Sequence, residues 1–179
     1  MTNCDDYALL DSKFGRSYVR HAMAAAKKIG QMTMSQWERA FPDDDSCKAY
    51  LSKSRWPQGV RCPRCGNDKV YELAKAFHWQ CQSCTAKGYR FSVLVGSIFE
   101  NTNYPLRQWF KVIYLMLTSK NGISALQIHR MIGTGSYRTA WYMCHRIRAG
   151  LTEEGFQDLL GIGGDENFAD IFGAAIRAS

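Results

Sequence analysis

The sequence has no long apolar run: the longest, Val112 to Leu117, is six residues, where a membrane-spanning helix needs about 20. Nor does it open with a charged segment followed by an apolar stretch, as a secretory signal does. The expectation is a soluble, cytoplasmic chain without a membrane partner. A third lack is local. Residues 104–151 hold seven lysines and arginines and no aspartate or glutamate at all. Elsewhere the signs mix: nine bases against seven acids in 1–60, six against three in 61–103, and one against six in 152–179. An acid-free basic block beside an acidic tail is the pattern of a surface that meets phosphates. A solvated helical face is the plainer alternative.

The 179 residues are 46% hydrophobic and 13% aromatic, enough for one domain or two small ones. Of the seven cysteines, four fall into two C-x-x-C pairs, which in a chain without a signal reads as metal binding before disulfides. Cys62, Cys65, Cys81 and Cys84 follow C-x2-C-x15-C-x2-C, with Pro63 and Gly66 in the first turn and strand formers at Val70 to Leu73 and Phe77 to Trp79. This is zinc ribbon spacing. Two such turns on neighbouring hairpins aim four thiolates at one centre and leave no coordination position for water, so the expected Zn2+ is structural. A unit this small buries little apolar area, and zinc supplies the folding energy it lacks. Cys4, Cys47 and Cys144 have no partner at ligand spacing and read as ordinary thiols. His78 reads as a strand residue, because four thiolates already fill the site.

The expected class is α+β: a small helical N-terminal segment, a four-cysteine zinc ribbon of β-hairpins, then a three-helix helix-turn-helix bundle. The divisions fall at 1–31 (N-terminal extension), 32–60 (short helices), 61–103 (ribbon), 104–151 (helix-turn-helix) and 152–179 (acidic tail). In the extension, Tyr18 to Ile29 suits a short basic helix. Ser35 is the expected cap of a helix carrying Trp37 and Phe41, and the acids at 43–45 precede a second helix, Ser46 to Ser54, whose Ala49, Tyr50 and Leu51 would cover the ribbon. Tyr89, Phe91, Val93 and Val95 alternate as a last strand, ended by Gly96.

From Pro105 the apolar period changes from two to about 3.6. Trp109, Phe110, Ile113, Tyr114 and Leu117 mark a core helix over Leu106 to Ser119. Ser124 can cap a second helix with Leu126, Ile128, Met131 and Ile132 as its apolar positions, and Gly133 to Gly135 supplies a tight turn. Ser136 then caps a third, whose buried stripe is expected to be Ala140, Trp141, Cys144, Ile147 and Leu151. Two helices joined by a glycine turn, the second basic on its free face, form a helix-turn-helix for double-stranded DNA. Ser136, Tyr137, Arg138 and Thr139 would lie near base edges, and His145, Arg146 and Arg148 nearer phosphates. Tyr142 is either a groove contact or simply solvated. An ordinary three-helix bundle, a protein-interaction ribbon and a homo-oligomer built through the helices are the competing readings.

Several stretches in order resemble one family. They are F-P-D at Phe41 to Asp43, R-W-P-x-G at Arg55 to Gly59, C-P-R-C-G at Cys62 to Gly66, V-G-S-I-F-E at Val95 to Glu100, P-L-R-Q-W-F at Pro105 to Phe110, S-K-N-G-I-S-A-L-Q at Ser119 to Gln127 and T-A-W-Y-M-C-H-R-I-R at Thr139 to Arg148. The chain resembles the N-terminal region of IS1595-type (ISXO2-like) insertion-sequence transposases over about residues 32 to 151. The resemblance implies recognition of terminal inverted repeats, followed by an RNase H-like domain in which an acidic triad holds two divalent metals. This chain departs from the family's V-E-x-D-E segment: Gly161 to Glu166 reads G-I-G-G-D-E, with Asp165 a candidate remnant of the first catalytic acid. Thirteen residues follow Glu166. The expectation is a truncated transposase that binds DNA but is not an enzyme; a part of an active transposase lacking its catalytic domain is the alternative. For Asp165 and Glu166 a solvated acidic tail is the simpler account.

Overall fold

The computed structural model describes residues 29–84, 88–119 and 122–151. The expected helix at Tyr18 to Ile29 lies outside them except for Ile29, which opens a 3-10 turn, Ile29–Gln31. The expected remnant at Asp165 and Glu166 and the acidic tail also lie outside.

Helix α1 spans Met34–Ala40 and α2 Asp44–Arg55. Both begin with reciprocal side-chain caps. Thr33 Oγ1 accepts the Gln36 N–H (3.3 Å) and Gln36 Oε1 the Thr33 N–H (3.1 Å), so Thr33, not Ser35, caps α1: Ser35 with Glu38 offers the same spacing, but Thr33 is the residue in extended conformation and Ser35 already lies within the helix. The Asp43 carboxylate accepts the Ser46 N–H at 2.8 Å, which starts α2 two residues earlier than expected.

The ribbon is a three-stranded antiparallel sheet, β1 (Val70–Glu72), β2 (His78–Cys81) and β3 (Tyr89–Ser92), in that order. Val70 pairs with Cys81 and Cys81 with Tyr89, so the second cysteine pair starts at the end of the central strand. β2 begins after Phe77 because that residue has φ of 61°, a left-handed conformation foreign to strands. β3 stops at Ser92, short of the expected Val95. Beyond it the backbone folds into successive turns, with Val95 N–H to Ser92 O, Ser97 N–H to Leu94 O and Glu100 N–H to Ser97 O. These turns carry Val93 and Phe99 into the core.

Helices α3 (Leu106–Thr118), α4 (Ala125–Ile132) and α5 (Tyr137–Leu151) complete the order. α3 buries Leu106, Trp109, Phe110 and every residue from Val112 to Met116. Such breadth of burial means it is packed on several sides. Phe41 lies 5.1 Å and Tyr50 5.9 Å from the Phe110 ring, and Trp37 lies 5.8 Å from Tyr114. Tyr50 thus covers α3, not the ribbon as expected. The ribbon is covered instead by Trp56, 5.3 Å from Trp79 and 6.1 Å from Phe91. One apolar core therefore runs from the first helices through the ribbon to α5.

Candidate metal centre and nucleic-acid interface

The first knuckle forms because the Gly66 N–H bonds Cys62 O and the Cys62 N–H bonds Asn67 O, each at 2.9 Å. Gly66 sits at φ 70°, where a side chain would be strained. Asn67 Nδ2 donates to Ser83 Oγ at 3.0 Å, tying this knuckle to the one after β2. The sulfurs of Cys62, Cys65, Cys81 and Cys84 all lie within 4.8 Å of one another. Cys62 Sγ is 3.4 Å from Cys84 Sγ and Cys65 Sγ 3.6 Å from Cys81 Sγ. A tetrahedral ion with sulfur at about 2.3 Å holds its ligands about 3.8 Å apart, so the set fits a metal and is far too open for disulfides.

The electrostatics agree. Burial opposes ionisation of Cys62, but the Cys65 and Arg64 backbone N–H groups stabilise its thiolate more and hold it at about 7. Cys84 is pushed up to about 12, first by its hydrogen bond with Cys65 and then by burial. One thiolate is favoured and the next opposed; a divalent cation at the centre removes that opposition. His78 is no ligand: it stands in β2 with Nδ1 2.9 Å from Ala76 O. Burial pushes the thiols of Cys47 and Cys144 up, consistent with inert core positions.

The three helices after the ribbon pack on one another. Ser124 and Gln127 cap each other, and Gly133 closes α4 in the left-handed region at φ 71°. Leu126 and Met131, expected to be apolar contacts, are exposed; only Ile128 of α4 is fully buried. Between α4 and α5 the Thr134 side chain, 3% exposed, donates to Ser136 O at 3.0 Å and meets His129 Nδ1 at 2.7 Å. A hydroxyl has one proton to give, so His129 must donate from Nδ1. This pair fixes the turn.

On α5, Ser136 Oγ accepts the Thr139 N–H (3.2 Å) and lies 3.0 Å from Thr139 Oγ1, so both side chains serve the cap. Tyr137 and Arg138 are exposed. The buried stripe is Ala140, Met143, Cys144, Ile147 and Leu151. Trp141 was expected in that stripe and is instead 46% exposed, its ring 4.0 Å from the His145 ring. Met143 takes the inner place because it, unlike Trp141, stands three and four residues from Ala140 and Ile147. Tyr142 is exposed and its hydroxyl accepts from Arg146 Nη1 at 3.1 Å, while Arg146 Nη2 reaches Glu100 O at 2.9 Å. Arg148 is half-buried, and its Nε has no hydrogen-bond partner among the described residues.

Residues 42–87 match the family described as the transposase zinc-ribbon domain of IS1595. Over that stretch the chain is similar to an IS1595-type transposase zinc ribbon. It is also similar to an uncharacterized protein of transposable element ISH50 from Halobacterium salinarum, 25% identical over 109 residues. That stretch is 61% of this chain and 36% of the relative, so the chain spans well under half of that protein's length. No solved structure matches. The ribbon has an α+β setting, and among the described residues no helix is long and apolar enough to cross a membrane.

Proposed function

We propose that this chain is the DNA-recognition part of an insertion-sequence transposase, binding the terminal inverted repeats as duplex through α4 and α5. The observation that carries the reading is the acid-free stretch 104–151 with its seven bases, packed in one core with the four-cysteine ribbon. Arg138, exposed in the first turn of α5, is suited to a base edge, and Arg148 to phosphate. Arg107 and Arg146 are committed elsewhere: Arg107 Nε donates to Phe41 O at 2.7 Å and Arg146 holds Glu100 O. Zn2+ is the ion suited to four thiolates, and a closed S4 shell leaves it a structural role.

On this reading the described residues recognise DNA and do not cut it, in a cytoplasmic protein. A gel shift with the inverted repeats flanking the encoding locus tests it. A complex that forms with zinc and disappears on chelation is expected; no complex at low salt would refute it. The short coverage of the ISH50 relative favours a second reading, in which this recognition part serves a longer, strand-cleaving transposase. Translating the downstream DNA in all three frames for an acidic RNase H-like sequence separates the two.

A further inference from the structure

The free face of α5 is aromatic to a degree that phosphate binding does not require. Tyr137 is 49%, Trp141 46% and Tyr142 51% exposed on one short helix. Tyr137 and Trp141 stand four residues apart and so share a side of the helix. Two of the three rings are braced. Trp141 lies against the His145 ring, centroids 4.0 Å apart. Tyr142 is held by the Arg146 guanidinium, 5.9 Å from its centroid and bonded to its hydroxyl, while Arg146 is itself anchored on Glu100 O. A ring supported on one side and open to solvent on the other is a stacking platform. Exposed rings of this size cost solvation in the free protein and gain when a flat partner covers them.

Resting on the DNA-recognition reading above, we propose that Trp141 and Tyr142 stack on unpaired bases, so that the preferred ligand is DNA with locally opened pairs and not an unbroken duplex. Charge selects this partner over a second copy of the chain. The face belongs to a stretch with seven bases and no acid, which repels its own copy and attracts a polyanion. A partner that supplies both negative charge and flat aromatic surfaces is a nucleic acid strand with exposed bases. In a closed duplex the bases offer only their edges to a helix in the groove, and an indole has a single donor for them.

Fluorescence anisotropy of the zinc-loaded full chain, with an intact duplex and the same duplex carrying a short unpaired bulge, tests the proposal. The bulged duplex is expected to bind about tenfold more tightly, the effect of one stacked base. Trp141→Ala should abolish that preference and leave duplex binding, Trp141→Phe should keep most of it, and Met34→Ala, exposed on α1 away from the DNA-binding helices, should change nothing. Equal affinity for both DNAs, with duplex binding intact, overturns this proposal alone. So does an unchanged preference in Trp141→Ala. Light scattering that finds the DNA-free chain dimeric and Trp141→Ala monomeric overturns it in favour of a protein interface. Failure to bind either DNA overturns the DNA-recognition reading itself.

Discussion

The Asp44 carboxylate accepts the backbone N–H of Arg107 at 2.8 Å across 63 positions of sequence, and its second oxygen takes the Leu106 N–H at 3.2 Å. The residue at the natural cap position of α3, Pro105, makes no side-chain cap bond, so a carboxylate from α2 supplies what is missing at the positive end of α3. Arg107 completes the clasp by reaching Phe41 O and lying 5.3 Å from the Trp37 ring. The helices before the ribbon are thereby joined to those after it.

Asp44→Ala should lower unfolding stability by about 1 to 2 kcal/mol, the usual cost of a lost N-cap, with Asp44→Asn losing less. Urea denaturation measures it; an unchanged midpoint would mean that the clasp contributes nothing.

Phe99 ties the ribbon's exit turns to α3. It is fully buried, edge-on to Trp109 at 5.9 Å and 5.9 Å from Phe110. Phe99→Ala should cost about 3 to 5 kcal/mol and shift the melting of the ribbon and the helices together when each is followed by its own probe. Two separate transitions would show that the core is not shared.

Much of this was legible beforehand, for identifiable reasons. The grouping of Cys62, Cys65, Cys81 and Cys84 was legible from spacing alone, since a C-x-x-C turn closes locally and needs no knowledge of the rest of the chain. Ser124, Gly133 and Ser136 were legible because caps and left-handed turns act within one helical turn. Trp141 was misplaced because its apolarity outweighed its spacing, although Met143 fitted the stripe better. The Asp44 clasp and the Arg146 bond to Glu100 join residues far apart in sequence, and no local pattern signals them. Thr134 gave no sign of burial, as a small polar residue in a glycine turn normally faces water.

Thr134→Val keeps the shape but leaves His129 Nδ1 and Ser136 O without the hydroxyl. A loss of about 1 to 3 kcal/mol is expected for stranded polar groups. Because the turn sets the angle between α4 and α5, discrimination between inverted-repeat and random duplex should fall more than binding to random duplex. Competition binding with the two DNAs checks this, and equal losses on both would assign Thr134 a role in stability alone.

Metal removal should expose the ligand thiols and leave the core thiols silent. With zinc bound, iodoacetamide should spare Cys62, Cys65, Cys81 and Cys84; after chelation all four should be modified, while Cys47 and Cys144, buried with raised thiols, stay protected as long as the helical core holds. Peptide mass spectrometry reads each site. Modification of Cys65 at full rate in the zinc-loaded chain would remove it from the ligand set.

The most direct measurement of DNA recognition is the dependence of duplex affinity on salt. Among the described residues Arg107 and Arg146 are held internally, which leaves Lys111, Arg130, Arg138 and Arg148, and with Lys120 added from the sequence about five bases to meet phosphates. The logarithm of the binding constant should then fall against the logarithm of salt with a slope of about −4.5. A slope near zero, or no measurable binding at low salt, would contradict the account.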